Sequence, residues 1–169
     1  MPRSHSDLTE PDGVHQVTPP PDLSDRTTLV NVDYQDCFLV DVGPSLSDRS
    51  AEQWARAIFE DAPAATRNRL VTGWPLLGLR LGPLASDEHV LGWLIAVKGP
   101  DRILLTADGS PEMLAELLVE RVQGSVRFAS FVSLLTPAAR EVWVDVGPRH
   151  ERTVRGLLTE LRDRTRSTE

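Results

Sequence analysis

The chain contains one long amphipathic helical pattern, and it lies at the C-terminal end. The pattern begins at Thr136-Pro137, an N-cap residue followed by proline at the first helical position, and continues to about Arg162. Its apolar stripe repeats mainly at spacings of three and four residues, as one face of a helix requires. Gly147-Pro148 interrupts it, so the sequence predicts a kink or two abutting helices. The stripe consists of Trp143, Val146, His150, Val154, Leu157, Leu158 and Leu161.

Residues 32–42 alternate with period two and predict a half-buried strand, whose inward set is apolar except for Asp36. A helix is expected next, because Ser50 and Gln53 have the spacing of a capping box. A second short helix is expected from Pro63 to about Thr72, with Gly73 as its end signal. Two short helices therefore follow the first predicted strand.

Four more alternating segments, separated by short turns rich in glycine and proline, predict an antiparallel meander. The apolar face of such a sheet must be covered by another element, and the C-terminal helix is the only long amphipathic element that the sequence predicts. The predicted class is therefore α+β, with a curved antiparallel sheet wrapped around that helix. The four segments are 89–98, 102–108, 115–120 and 126–134.

Several short motifs lie on these elements. They are Asp33-Tyr34-Gln35-Asp36-Cys37-Phe38, Trp54-Ala55-Arg56-Ala57-Ile58, Leu77-Gly78-Leu79, Val90-Leu91-Gly92-Trp93, and Ala139-Arg140-Glu141-Val142-Trp143 followed by His150. Over about residues 32–162 the chain thereby resembles the START-like (polyketide cyclase, SRPBCC) superfamily with its helix-grip fold, and within it a bacterial family of unknown function. The resemblance implies a cavity between sheet and helix. Members bind lipids, sterols, polyketides or plant hormones, and some catalyse cyclisation or dehydration of polyketides.

Two titratable residues are candidates for chemistry. Asp36 lies on the inward side of its strand, and a buried carboxylate must be paired. It is a candidate acid or base or an anchor for a ligand hydroxyl, or it forms a structural ion pair with Arg140 or another arginine. His150 lies on the covering face of the last helix and is the matching base, or else a packing histidine bonded to a backbone carbonyl. If strand and helix face each other, the two side chains converge.

The expected lining of a ligand cavity comes from the inward positions of the strands and from the helix stripe. Large aromatic side chains offer apolar walls, and the tryptophans add one N–H donor each, although all are equally expected as core. Ser130 is an inward hydroxyl that orients a ligand or bonds to backbone. The predicted ligand-binding residues are Tyr34, Phe38, Trp93, Phe128, Ser130, Trp143 and His150.

The two ends of the chain are predicted to lie outside this domain. Residues 1–24 have several prolines and sparse apolar residues, so a disordered tail is expected there. The domain is expected to cover 25–164, and 165–169 to be disordered. With no signal peptide and no apolar stretch near 20 residues, a cytoplasmic protein without membrane insertion is expected.

Composition and motifs exclude several classes. A net charge of −7 disfavours nucleic acid and anionic membranes as partners. The single cysteine excludes an internal disulfide, and the four histidines do not cluster at metal-ligand spacing, so no metal is expected. Hydrolase, phosphate-loop, zinc-protease and dinucleotide signatures are missing from the sequence, so no cofactor is expected.

These observations favour a binding protein for a small apolar, lipid- or polyketide-like molecule. One alternative is an enzyme of the cyclase or dehydratase type that uses Asp36 and His150 as an acid–base pair. A second is a protein-interaction module with a filled core. A cavity lined by Trp93, Phe128 and Trp143 would separate the first two from the third.

Overall fold

A computed structural model describes residues 13–43 and 48–167 and confirms the α+β class. A curved, unclosed antiparallel sheet of eight strands packs against one long C-terminal helix, and two short helices follow the first strands. In chain order the elements are β1 (Val14–Gln16), a 3-10 turn (Leu23–Arg26), β2 (Tyr34–Asp41), α1 (Ala51–Phe59), α2 (Ala64–Leu76), β3 (Ala85–Ser86), β4 (His89–Val90), β5 (Trp93–Lys98), β6 (Arg102–Ser110), β7 (Met113–Val122), β8 (Ser125–Leu134) and α3 (Pro137–Arg166).

The spatial order of the strands is β1-β2-β8-β7-β6-β5-β4-β3. The chain crosses from the β1–β2 side of the sheet to its β3 edge through α1 and α2. The inner face, which carries α1 and α3, follows the predicted parity, because Asp36 pairs with Ser130 and Phe38 with Phe128 in directly opposed positions. The polar and the aromatic inward residues of β2 and β8 therefore lie side by side.

The helix start signals are confirmed by their hydrogen bonds. Ser50 Oγ accepts from the Gln53 backbone N–H at 3.2 Å, and Gln53 Oε1 accepts from the Ser50 N–H at 2.8 Å, which completes the capping box. Thr136 Oγ1 accepts from the Ala139 N–H at 3.1 Å, with Pro137 at the start of α3.

The C-terminal helix is one continuous element despite Gly147-Pro148, so the prediction of two abutting helices is wrong. Pro148 leaves the carbonyl of Val144 without its helical donor. Both residues are on the solvent side, with Val144 74% exposed, so solvent is available to replace the lost bond. The helix also continues through Thr165, which is 4% exposed, and ends at Arg166, so the disordered end predicted from 165 is wrong for these two residues.

The structure corrects two predicted element boundaries, the end of α2 and the extent of the strand at 89–98. Helix α2 passes Gly73 and ends at Leu76, and the left-handed residue after it is Gly78 at φ +86°. The predicted strand 89–98 is two strands joined by a turn at Leu91-Gly92, where both residues have positive φ. A two-residue turn of this kind is normally signalled by asparagine or aspartate before the glycine, so leucine concealed it.

The tail predicted for residues 1–24 is wrong for residues 13–24, while 1–12 lie outside the described residues. Residues 13–32, which we call the N-terminal strap, add β1 to the edge of β2 and then cross the outer face of the sheet. Val14 is 1% exposed and Leu23 is fully buried. Strap residues pack over an apolar outer patch formed by Cys37, Leu104, Leu118, Ala129 and Phe131.

The strap also satisfies two buried carboxylates of β7. Glu116, 1% exposed, accepts bonds from the hydroxyls of Thr27 and Thr28 and from the Thr28 N–H at 2.7 Å. Glu120 accepts both of its bonds from Arg26 Nη1. Because a buried carboxylate without partners is costly, these contacts fix the strap's position on the sheet. Both glutamates lie on the outer face, as the alternation of β7 predicts.

Candidate functional site

A carboxylate of the sheet and an imidazole of the last helix meet on the inner face. Asp36 Oδ2 lies 3.1 Å from His150 Nε2, and the Asp36 side chain is 1% exposed while that of His150 is 22% exposed. The structure thus brings together the two residues predicted to form a pair. Arg140, the alternative partner for Asp36, is exposed on α3.

Ser130 and Tyr34 complete this polar cluster. The Ser130 N–H donates to Asp36 Oδ1 at 2.9 Å, and Ser130 Oγ lies 3.0 Å from His150 Nε2. The Tyr34 hydroxyl lies 2.9 Å from Asp36 Oδ2 and 3.2 Å from Glu151 Oε1, so its single proton is shared between two carboxylates. Glu151 was missed by sequence reasoning, and its only signal is its position next to His150 on the helix.

The geometry assigns the proton on His150. A carboxylate only accepts, so Nε2 carries the hydrogen that faces Asp36. Neutral His150 then has its lone pair on Nδ1, for which the described residues provide no hydrogen-bond partner. Because Asp36 and Ser130 share the same ring nitrogen, Ser130 is not activated as in a serine–histidine–aspartate triad, where the two contact opposite nitrogens. The cluster therefore offers a base at Nδ1 and no serine nucleophile.

An aromatic residue covers the cluster from the helix side. The Trp143 ring centroid is 4.9 Å from that of Tyr34 and 5.7 Å from that of His150. Its indole Nε1–H is buried and has no acceptor within the described part of the chain. A buried donor without a partner destabilises the fold, and a bound molecule with an acceptor atom would remove this cost.

The other predicted lining residues do not reach this cluster. Trp93 and Phe128 are each 1% exposed and belong to the main core. Edge-on aromatic contacts run from Trp93 to Trp74 and from Trp74 to Phe59, and Phe59 lies 6.1 Å from Phe128. Phe38 is also core, with the Arg155 guanidinium 5.6 Å from its ring. Of the predicted lining, the structure groups Tyr34, Ser130, Trp143 and His150.

Among the described residues, two prominent clefts open at the surface, and neither is lined by Trp93, Phe128 or Trp143. The larger, about 820 Å³, lies between α1, α2 and the β3–β4 hairpin. The smaller, about 480 Å³, lies where Val42 and Trp54 meet the β7–β8 turn. The cavity expected between sheet and helix is thus not one of these clefts.

Comparison with protein-family models, with curated proteins and with solved structures gives no match for this chain. The fold and the polar cluster define an α+β domain with a helix-grip-like arrangement and an aspartate–histidine pair under its long helix. Within the described residues, no helix is long and apolar enough to cross a membrane, and no three candidate ligands are grouped for a metal ion.

The single tyrosine of the chain allows a clean test of the cluster. Burial, followed by the charge of Asp36 and its hydrogen bond, raises the pKa of Tyr34 far above its ordinary value of 10.0. The folded protein is therefore expected to form no tyrosinate near pH 10 in an ultraviolet titration. The unfolded chain loses this proton first, so stability should fall as pH rises above about 10.

The matched control for this titration is the same chain in urea, which should ionise at the ordinary pKa. Tyrosinate formation at that same pH in the folded protein, without loss of structure, would contradict the buried cluster.

Proposed function

We propose that the protein binds a small apolar molecule that carries a hydroxyl group, at the cluster beneath the first half of α3. The observation that carries this proposal is the unmatched pair of Trp143 Nε1–H, a donor, and His150 Nδ1, an acceptor, on one helix face. A hydroxyl group both accepts and donates, so one such group complements both. The resemblance to START-like proteins supports the same ligand class, lipid- or polyketide-like.

The packing of α3 supports this location. Its second half is buried through Val154, Leu157 and Leu158. In its first half Val142 is 56% exposed, and Trp143 and His150 are only partly buried. We infer that a ligand enters where the helix is least tightly packed. The burial of Trp93 and Phe128 in the main core favours the Trp143 end for its apolar body.

Binding is tested with 1-naphthol and, as its counterpart without a hydroxyl, 1-methylnaphthalene, by calorimetric titration. Trp143→Phe keeps an aromatic ring and removes the N–H. It is expected to weaken binding of 1-naphthol by about 1 kcal/mol, or roughly fivefold in Kd, and to leave that of 1-methylnaphthalene unchanged. His150→Ala should act similarly, while His15→Ala, in an exposed pair with Asp41, serves as the matched control.

The proposal fails if 1-naphthol does not bind, or if Trp143→Phe binds both compounds as the native chain does. A protein that binds neither compound would favour the interaction module without a ligand site.

A second candidate function is acid–base catalysis of the cyclase or dehydratase type, favoured by the 3.1 Å contact of Asp36 with His150. Asp36 fixes the proton on Nε2, so Nδ1 would remove a proton from carbon or oxygen of a bound molecule. The test is deuterium incorporation next to the carbonyl of 2-tetralone, followed by NMR. Exchange faster than in buffer, lost in His150→Gln and kept in His15→Gln, would support the enzyme. Exchange at the buffer rate would exclude this reaction.

A further inference from the structure

The larger cleft, of about 820 Å³, has the size of a small-molecule site and is separate from the cluster at His150. Its walls come from α1, α2 and the β3–β4 hairpin. The lining combines two arginines and polar groups with four aliphatic side chains, which are Val71, Leu84, Ala85 and Leu91.

One of the two arginines is committed to holding the walls together. Arg56 Nη1 donates to Glu60 Oε1 at 2.7 Å, and its Nη2 donates to Glu52 Oε1 at 3.1 Å. The same guanidinium donates to the carbonyl oxygens of Ser86, Asp87 and His89. Arg56 therefore ties α1 to the hairpin, and its charge is shared between Glu52 and Glu60. Lys98 is a second partner of Glu52.

The second arginine, Arg67, has no such partner. Its Nη1 makes a 3.3 Å bond to the carbonyl of Glu60, and its buried Nε–H has no acceptor. No carboxylate lies within ion-pair distance of this guanidinium among the described residues. The other acid of the lining, Asp87, is exposed, and water screens its charge. The four charged residues of the lining balance formally, and Arg67 is the cation among them that forms no ion pair with the described residues.

The apolar wall has a conformational cost. Leu91 has φ +44° and is the one non-glycine residue with positive φ among the described residues. It is nevertheless 6% exposed, and Leu84 beside it in the cleft is 46% exposed. Leu91 also belongs to the main hydrophobic core, so its burial offsets the cost of the left-handed backbone, and its side chain contributes to the wall of the cleft.

We propose that this cleft binds a carboxylate with a short aliphatic body. The carboxylate pairs with the Arg67 guanidinium in charge-assisted hydrogen bonds, and the aliphatic chain lies against Val71, Leu84 and Leu91. This inference is independent of the function proposed for the His150 cluster.

The test uses octanoate and its neutral counterpart octanamide in calorimetric titrations of the full chain. Octanoate is expected to bind saturably, and octanamide at least about tenfold more weakly. Arg67→Gln should weaken octanoate binding by a similar factor. Arg69→Gln is the matched control, the same change at an exposed position of the same helix outside the lining.

Leu84→Asn provides a second variant, because Leu84 is 46% exposed and lines the cleft, so the change removes an aliphatic contact without placing a polar group in the core. It should fold and bind octanoate more weakly. Trp143→Phe should bind octanoate as the native chain does, which separates this cleft from the other site. The proposal is overturned if octanoate does not bind, if Arg67→Gln binds it unchanged, or if only Trp143→Phe weakens it.

Discussion

The free energy of unfolding of a chain that starts at Asp25 is expected to be roughly 3–6 kcal/mol lower than that of the full chain. Deletion of residues 1–24 removes Val14 and Leu23, which are 1% and 0% exposed, and burial of each such side chain stabilises by about 1.5–3 kcal/mol. It also removes β1 and the hydrogen bond from the Val17 N–H to the Cys37 carbonyl. Equilibrium unfolding in urea measures the difference.

The thiol of Cys37 gives a second readout of the same deletion. Cys37 is fully buried in the outer patch with Leu23, and burial raises the pKa of its thiol to about 11. A thiol that is both covered and protonated reacts slowly. Alkylation by iodoacetamide at mildly alkaline pH should therefore be slow in the full chain and much faster in the truncated one.

The matched control is a chain that starts at Gly13, which retains the strap. It should unfold and alkylate as the full chain does. Equal urea midpoints for the chains starting at Gly13 and at Asp25 would contradict a stabilising role of residues 13–24.

The pattern of apolar residues in the sequence did not predict the strap, and the reason is physical. Periodicity reveals elements that bury one face regularly, and it correctly located β2, β6, β7, β8 and α3. The strap crosses the sheet mostly as irregular chain, so its apolar residues have no fixed spacing. Leu23 is buried by Phe131 and its neighbours, which lie about a hundred positions further along the chain. Only tertiary packing makes such a segment part of the domain.

The polar cluster, by contrast, follows from local patterns. Strand parity placed Asp36 and Ser130 inward, and the antiparallel register set them opposite each other. Helical spacing placed His150 on the face that covers them. Pro148 did not rotate this face away, because it lies on the solvent side of α3. The sequence patterns could not predict which aromatic side chains fill the core and which cover the cluster, because that depends on tertiary packing.

Asp36→Ala is expected to destabilise the fold by about 3–5 kcal/mol, because it breaks a buried pair. Three donors lose an acceptor, namely the backbone N–H of Ser130, Nε2–H of His150 and the hydroxyl of Tyr34. A buried donor without an acceptor costs about 1–3 kcal/mol. The total stays below the simple sum because Tyr34 and His150 keep contacts with Glu151 and Ser130. Urea unfolding measures the change.

Asp36→Asn separates the charge from the hydrogen bonds. Asparagine keeps an acceptor for the Ser130 N–H and presents its NH₂ to His150 Nε2, so the ring proton must move to Nδ1. The cost should be smaller than for alanine, and nitrogen-15 NMR of His150 should report the changed tautomer. Asp41→Ala is the matched control, since the exposed His15–Asp41 contact should contribute less than about 0.5 kcal/mol. Equal stability of Asp36→Ala and Asp41→Ala would show that the Asp36–His150 contact does not hold α3 on the sheet.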